Sequence, residues 1–558
     1  MLSGTVDSSR PVLIVDDSPM YRTAAKGMLQ RLGYPIQRID FAQDASEAID
    51  KCRVKNYALV LFDYNLGKKA NGYQLIDELQ HKQLLSPDCV NIIVTGDGTP
   101  EVVRGFMELE PDGYLLKPLN YATLQKRLPQ FSAKKRALSD VLTIFGNKNY
   151  QGAIEYIDQS FFADEEVIVR SQLIKAKSLA ALEKYDEARN VLINLKGSNE
   201  NSAVHLELAR IAFHQRQYKQ SLFLASQVKK DPLRSAQASD ISAETYAAQH
   251  QFDLALEEIE SAIAVSPKHI QRHEVRVAMR LALFDLADAL NSLKALQAES
   301  RNSFRSSVDD YLFAASIQLD LARFDAVNLR ETHVATVAKW IEQWRQNYTR
   351  EQYKGFEFLI LCRIFKLKND AQKARFYYEK YQEFRQEEPL HQPSVYETME
   401  LAKASFAVYE HDAYKHASTL AVQAISDHPN IAAQHGYMSY FQQYRTKIEQ
   451  GYSQLLKIKE RSRHYVANQH FDKAAILLSK ALKANTIDND LYLLMLEVLT
   501  RSWPPAWSKV QVAKIAKICK EHLRGSPHAK TKAYFNACDT LASQLDMKEL
   551  KEANTISS

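Results

Sequence analysis

Two adjacent aspartates, Asp16 and Asp17, close an apolar run in Pro11-Val-Leu-Ile-Val-Asp16-Asp17-Ser18. A third, Asp63, closes Ala58-Leu-Val-Leu-Phe62. Thr95 follows Val90-Asn-Ile-Ile-Val94, and Lys117 follows Gly113-Tyr-Leu-Leu116. Carboxylates brought together repel one another unless a cation lies among them. Aspartates with water suit a hard cation such as Mg2+. The Thr95 hydroxyl and the Lys117 ammonium would then suit an anion bound to the same metal. The set has the chemistry of a phosphoryl site.

Each of these residues ends a short run rich in Val, Leu and Ile. Such runs suit the strands of a parallel sheet covered by helices on both faces. A doubly wound sheet binds its ligands outside the carboxyl ends of its strands. All five residues are therefore expected at one crevice. A single strand-end aspartate is commonly a cap or turn residue. Five suitable residue types in order at successive strand ends are not explained that way.

On these residues, positions 11–128 resemble the receiver domain of two-component response regulators, a CheY-like α/β fold with a doubly wound parallel five-stranded sheet. The resemblance implies that Asp63 is the phosphoacceptor. It implies that Asp17 and Asp63 are side-chain ligands of Mg2+, with the Asn65 carbonyl as a third ligand and Asp16 acting through water. Thr95 and Lys117 would hold phosphoryl oxygens, and Tyr114 would be the aromatic switch coupled to Thr95. Lys117-Pro118 matches the family's cis Lys-Pro step. The implied partner is a histidine kinase or a histidine phosphotransfer protein. One segment departs: Asp63-Tyr-Asn-Leu-Gly67-Lys-Lys-Ala-Asn-Gly72 lacks the family's Met-Pro pair and is one residue longer before its glycine. The path of this loop is therefore not carried over. Gly96 leaves nothing bulky beside Thr95.

The remainder reads as helical. An aromatic precedes a small residue by three positions at Tyr150/Ala153, Tyr185/Ala188, Tyr218/Ser221, Phe252/Ala255 and Phe284/Ala287. A period near 34 is the signature of tetratricopeptide (TPR) repeats, helix pairs that bury their apolar faces only by stacking. Ala243, Tyr246, Ala262 and Pro267 complete the best copy. Tyr414, Ala417, Ala424 and Pro429, then Phe471, Ala474 and Ala481, mark later ones. The expected organisation is a disordered start (1–10), the receiver (11–128), a short linker helix (129–140) and regular repeats (141–300). Divergent helical repeats (301–400), TPR-like repeats (401–490) and C-terminal helices with a tail (491–558) follow. Pro129 is expected to interrupt the last receiver helix. The final helices should break at Ser502-Trp-Pro-Pro-Ala-Trp507. No Gly/Ser linker separates the halves. The receiver is thus expected to touch the array, through the face from about Thr99 to Leu128.

Composition narrows the function. The chain of 558 residues is too long for one core. Its five cysteines show no Cys-x-x-Cys spacing, which argues against a disulfide framework or structural zinc. No run approaches the roughly 18 apolar residues of a membrane span, and the start lacks a signal-peptide pattern. A cytoplasmic protein is expected. Residues 1–130 carry 15 basic and 16 acidic side chains and the rest 57 and 51, a mild excess that does not point to nucleic acid. No second catalytic constellation is present, and most histidines are expected at solvent-facing helical positions. The expected function is a phosphorelay response regulator acting through protein–protein interaction, and not an enzyme beyond its own phosphoryl transfer and hydrolysis. The alternative is a phosphate sink or competitive inhibitor of a histidine kinase that feeds another regulator. A nucleic-acid-binding regulator ranks below both.

Overall fold

The computed structural model describes residues 10–67, 70–195, 201–483, 489–524 and 526–546. The expected disordered start, except Arg10, and the tail beyond Asp546 lie outside these residues. The chain divides into two compact units, Met1–Ser307 with Pro429–Gly436 and Val308–His428 with Tyr437–Ser558.

The first unit opens with an α/β domain. Its elements alternate as β1 (Val12–Val15), α1 (Pro19–Arg31), β2 (Ile39–Ala42), α2 (Ala45–Val54), β3 (Leu59–Phe62), α3 (Gly72–His81), β4 (Val90–Thr95), α4 (Pro100–Glu108), β5 (Gly113–Leu116) and α5 (Tyr121–Gly146). The strands pair in parallel in the order β2-β1-β3-β4-β5. Every residue of β1 and β3 is buried, as central strands covered on both faces require. One face packs Leu13, Val15, Val60, Phe62 and Ile93 against α2 and α3. The other packs Ile14, Leu61 and Ile92 against Leu29 of α1 and Leu124 of α5. Ser18, Asp44, Asn71 and Asn120 cap α1, α2, α3 and α5 through their side chains.

Pro129 does not interrupt the last helix of this domain. One continuous α5 carries it, although proline deletes a ladder hydrogen bond. Packing on both sides of the proline offsets that loss, beginning with Leu124 and Leu128 before it in the sheet core. Gly113 lies so close to the Phe131 ring that a Cβ there would sit 2.4 Å from it. Lys135 pairs with Asp112 at 3.0 Å, both largely buried. Farther along, Leu138 and Val141 join Ala153, Ile157 and Val167 in the next core. The linker helix is thus the second half of α5.

Among the described residues nine α-helices follow, up to Ser307: α6 (Tyr150–Gln159), α7 (Glu165–Ala181), α8 (Tyr185–Ile193), α9 (Ser202–His214), α10 (Tyr218–Val228), α11 (Ser235–Ala248), α12 (Phe252–Val265), α13 (Ile270–Ala282) and α14 (Leu286–Ser300). A single left-handed residue reverses the chain before every second one: Lys148, Glu183, Arg216, His250 and Phe284, with φ between 58° and 59°. Two residues on, the next helix begins with Tyr150, Tyr185, Tyr218, Phe252 or Leu286. Three further on lie Ala153, Ala188, Ser221, Ala255 and Ala289, each fully buried. The last pair therefore differs from the expected Phe284/Ala287. Phe284 is the turn residue and Ala287 is exposed, so the helix contact falls on Leu286 and Ala289. A non-glycine residue in this conformation costs about 1–2 kcal/mol. Its recurrence shows that packing of the helix pair, and not local preference, dictates the turn.

Among its described residues the second unit has only helices: α15 (Val308–Phe324), α16 (Arg330–Asn347), α17 (Arg350–Leu367), α18 (Ala371–Glu387), α19 (Val395–Ala407), α20 (His411–Ser426), α21 (Ile431–Ala467), α22 (Phe471–Lys483), α23 (Asn489–Arg501), α24 (Lys509–Leu523) and α25 (Lys532–Leu545). Asn369, Tyr409 and Gln469 make the same left-handed turn before α18, α20 and α22. Tyr414 and Ala417 are buried one turn into α20. Ser502–Trp507 separates α23 from α24. The five cysteines are free and buried. Among the described residues no helix is long and apolar enough to cross a membrane.

Candidate functional site

Strand register brings the acidic residues together. Val15 of β1 is paired with Phe62 of β3, so Asp16 and Asp63 leave the sheet side by side. The Asp63 amide donates to the Val15 carbonyl at 2.9 Å. Across the sheet, the Lys117 amide donates to the Thr95 carbonyl at 2.8 Å, and the Lys117–Pro118 peptide is cis. Oxygen atoms of Asp16, Asp17 and Asp63 all lie within 4.8 Å of one another. Asp16 and Asp63 are buried and Asp17 is exposed, so the cluster has one side open to solvent.

Lys117 holds the two buried carboxylates. Its Nζ lies 2.7 Å from Asp16 Oδ2 and 2.9 Å from Asp63 Oδ2. Backbone amides satisfy the other oxygens: Ser18 N donates to Asp16 Oδ1 and Tyr64 N to Asp63 Oδ1, both at 2.8 Å. Burial pushes the Asp63 pKa above the usual carboxylate range, and the Lys117 ammonium offsets this only in part. Burial works against the charge on Lys117, but its hydrogen bonds to Asp16 and Asp63 outweigh that and raise its pKa.

The two residues expected to form the switch lie at the end of β4 and within β5. Thr95 is buried, and its hydroxyl accepts from the Asp97 amide at 3.0 Å. The half-buried Tyr114 donates from its hydroxyl to the Asp97 carbonyl at 3.0 Å. Both therefore converge on Asp97. Asn65 is exposed in the loop after Asp63. Lys68 and Lys69 of that loop lie outside the described residues. The loop closes where Gly72 N donates to the Tyr64 carbonyl at 2.8 Å. A Cβ at Gly72 would lie 2.1 Å from the Asp63 carbonyl oxygen, so only glycine fits there.

Three further residues belong to the site. The Lys117 ammonium lies over the Tyr21 ring, 4.1 Å from its centroid, a favourable cation–π position. Burial, with Asp16 and Asp63 nearby, raises the Tyr21 pKa. Arg22 donates to the Asp16 carbonyl. Tyr64 bonds Asp63 through its amide and sets its ring edge-on to Phe106, centroids 5.6 Å apart. Tyr21 and Arg22 lie three and four residues past the Ser18 cap. Helical spacing could have placed them beside the strand end, but their types alone carried no signal.

The donor set fits Mg2+: hard carboxylate oxygens, one of the three carboxylates facing solvent, and an adjacent cation to hold an anion. Asp16, Asp17 and Asp63 would hold the ion, and the ion would neutralise charge on a phosphoryl group. Mg2+ is then expected to raise the melting midpoint of the full chain in a concentration-dependent way. Asp17→Ala should flatten that dependence and Asp16→Ala should weaken it less. A midpoint indifferent to Mg2+ would mean that the three aspartates share no ion.

Residues 12–129 match the family model described as the response regulator receiver domain. Escherichia coli (strain K12) NarL, a nitrate/nitrite response regulator protein, is 29% identical over 132 residues, which are 24% of this chain and 59% of NarL. The sensor histidine kinase AruS of Pseudomonas aeruginosa is 31% identical over 134 residues, 24% of this chain and 13% of AruS. Among solved structures, a CheY-like receiver domain protein from Methanospirillum hungatei JF-1 is 25% identical, covering 23% of this chain and 96% of its own, with a TM-score of 0.21. The chemotaxis response regulator CheY4 of Vibrio cholerae is likewise 25% identical, covering 22% and 98%, with a TM-score of 0.20.

Proposed function

We propose that this chain, whose residues 12–129 form a CheY-like receiver domain, acts as a response regulator that takes a phosphoryl group on Asp63 and passes the signal on through its helical part. One observation carries this reading: a single lysine bridges two buried aspartates at adjoining strand ends, with a third aspartate open to solvent. An Asp63 oxygen attacks the phosphorus of a phosphohistidine. The O–P bond forms, the P–N bond breaks, and the histidine of the kinase or phosphotransfer protein leaves. Lys117 is placed to follow the new negative charge.

The output is protein–protein interaction through TPR-type repeats. The recurring left-handed turn, and the fully buried small residue five positions after it in α6, α8, α10, α12 and α14, support that reading. Stacked helix pairs present extended binding surfaces. No activity beyond the receiver's own phosphoryl transfer and hydrolysis is proposed. The test is capture of partners from lysate by the full chain, with and without Mg2+ and beryllium fluoride as a phosphoryl mimic. At least one partner should change in yield several-fold between the two conditions. An unchanged set would leave the phosphoryl group without an output through the helical part.

A further inference from the structure

The α/β domain grips the helical segment of its own unit twice. The first grip is α5, which belongs to both. Its first half carries Leu124 and Leu128 into the sheet core, and its second half packs Leu138 and Val141 on α6 and α7. Lys134 and Tyr156 add ion-pair and hydrogen-bond contacts across that junction, to Glu166 and Asp140.

The second grip is at the far end of the segment. Part of it, at the end of α4, falls within the expected face from Thr99 to Leu128, and the rest is on α3, outside that face. Arg305, just past α14, makes a bidentate pair with Asp77 of α3 at 2.7 and 2.8 Å. The Phe304 ring lies 5.0 Å from His81. Gln74 reaches the Glu299 carbonyl at 3.3 Å. Arg272 of α13, only 2% exposed, divides its guanidinium between Asp240 of α11 at 2.7 Å and Glu108 of α4 at 2.9 Å. Helices α6 to α14 are thus held at both ends by one domain.

The far grip adjoins the phosphoacceptor. Tyr64 binds Asp63 through its amide, while its side chain lines a small cavity of about 60 Å³ with Tyr73, Phe106, Ser266, Pro267 and Lys268. One wall of that cavity is therefore the residue next to Asp63, and the opposite wall is the α12–α13 turn. Gly105 lies at this contact, where a Cβ would meet Ser266 Oγ at 3.8 Å, an ordinary van der Waals distance.

We propose that the receiver is a tie across the α6–α14 segment, and that phosphorylation of Asp63 releases the far grip while α5 holds the near one. The inference rests on the phosphoacceptor reading of Asp63. Turning the Asp63 carboxylate into an acyl phosphate adds roughly one negative charge beside Tyr64 N, which draws the Tyr64 amide toward a phosphoryl oxygen. Tyr64 then withdraws from the cavity wall, and the bidentate and buried pairs on α3 and α4 lose their register. Freed at one end, the helix pairs change their spacing, and with it the surface they offer. By linkage, a contact that phosphorylation weakens must itself oppose phosphorylation.

The test uses the full chain, with beryllium fluoride titrated at fixed Mg2+ by calorimetry and hydrogen exchange followed in parallel. In the wild type, the mimic should speed exchange around 266–272 and 299–305 and leave 131–141 unchanged. Arg305→Ala and Asp77→Asn should each bind the mimic at least about fivefold more tightly. The exchanged pair Asp77→Arg/Arg305→Asp should return to the wild-type affinity. Wild-type affinity in both single variants would overturn the tie and leave the phosphoacceptor reading standing. A wild type that binds no mimic would overturn both. Tighter binding that the exchanged pair fails to reverse would also overturn the tie, because the effect would not come from the 77–305 contact.

Discussion

Asp63→Ala should leave the full chain unlabelled by a small phosphodonor under conditions that label the wild type. The proposed acceptor is the best placed of the three aspartates. Asp16 is almost wholly buried, with its oxygens held by Lys117 and the Ser18 amide. Asp17 lies on the exposed side of the cluster. Asp63 shares Lys117 with Asp16 and likewise accepts one backbone amide, but it keeps more exposure, 5% against 1%. Only the carboxylate attacks phosphorus, so labelling should fall on acidification. Burial raises the Asp63 pKa and a bound cation would counter that, so added Mg2+ should move the fall to lower pH. The raised Lys117 pKa keeps the ammonium charged well into alkali. The measurement is initial labelling against pH for wild type and Asp63→Ala. Labelling that survives in the variant moves the acceptor to another residue.

Lys403→Met should destabilise the second unit by about 3–5 kcal/mol, the usual cost of removing one partner from a buried ion pair. Four charges meet there with almost no exposure: Asp320, Arg363, Glu400 and Lys403. Lys403 Nζ lies 2.8 Å from Asp320, 3.0 Å from the Ser316 hydroxyl and 2.7 Å from the Tyr440 hydroxyl. Arg363 donates to Asp320 at 2.6 Å and to Glu400 at 2.8 and 3.0 Å. Two acids and two bases balance, and they fasten α15, α17, α19 and α21 together. Removing Lys403 leaves two buried carboxylates on one guanidinium. Lys403→Met/Asp320→Leu restores the balance and should recover most of the loss.

All four tryptophans, Trp340, Trp344, Trp503 and Trp507, lie in this unit. Their fluorescence during urea unfolding therefore reports it selectively. Equal midpoints for the single and double variants would show that the balance of charge is not what matters. The network also predicts an acid limit. Burial would raise the Asp320 pKa, but Lys403 and Arg363 outweigh it and hold the carboxyl below its ordinary range. A depressed carboxyl contributes its full stability above the unfolded pKa and loses it as pH falls through the folded one. The second unit should therefore weaken in acid below the ordinary carboxylate range.

The residues of the candidate site were legible because they follow local rules. An apolar run of four to six residues ending in Asp, Thr or Lys declares both a strand and its carboxyl end, and parallel pairing then needs no further information to bring Asp16, Asp63 and Lys117 together. The helix pairs were legible for a similar reason, since a small residue must recur wherever two backbones touch. Where the pattern was misread, at Phe284, the aromatic type matched but the turn needed that position in a left-handed conformation, and the contact fell on Leu286 and Ala289. Pro129 was misread because its local cost is real, yet the packing of Phe131, Lys135, Leu138 and Val141 on either side of the junction outweighs it. Tyr64 gave no sign of its double role, because that role needs the α12–α13 turn, some 200 residues away, to come against α4. Arg272, Arg305 and the Asp320–Lys403 network were silent in the sequence. A lone charged residue on a helix defaults to solvent, and only the assembly of distant segments decides which charges are taken out of water and which partner compensates them. Sequence alone therefore determined the sheet, its strand-end chemistry and the helical period. Tertiary structure alone decided that α3 joins the end of α4 in holding the helices, because that choice depends on complementary charges brought together by the whole run of helices between them.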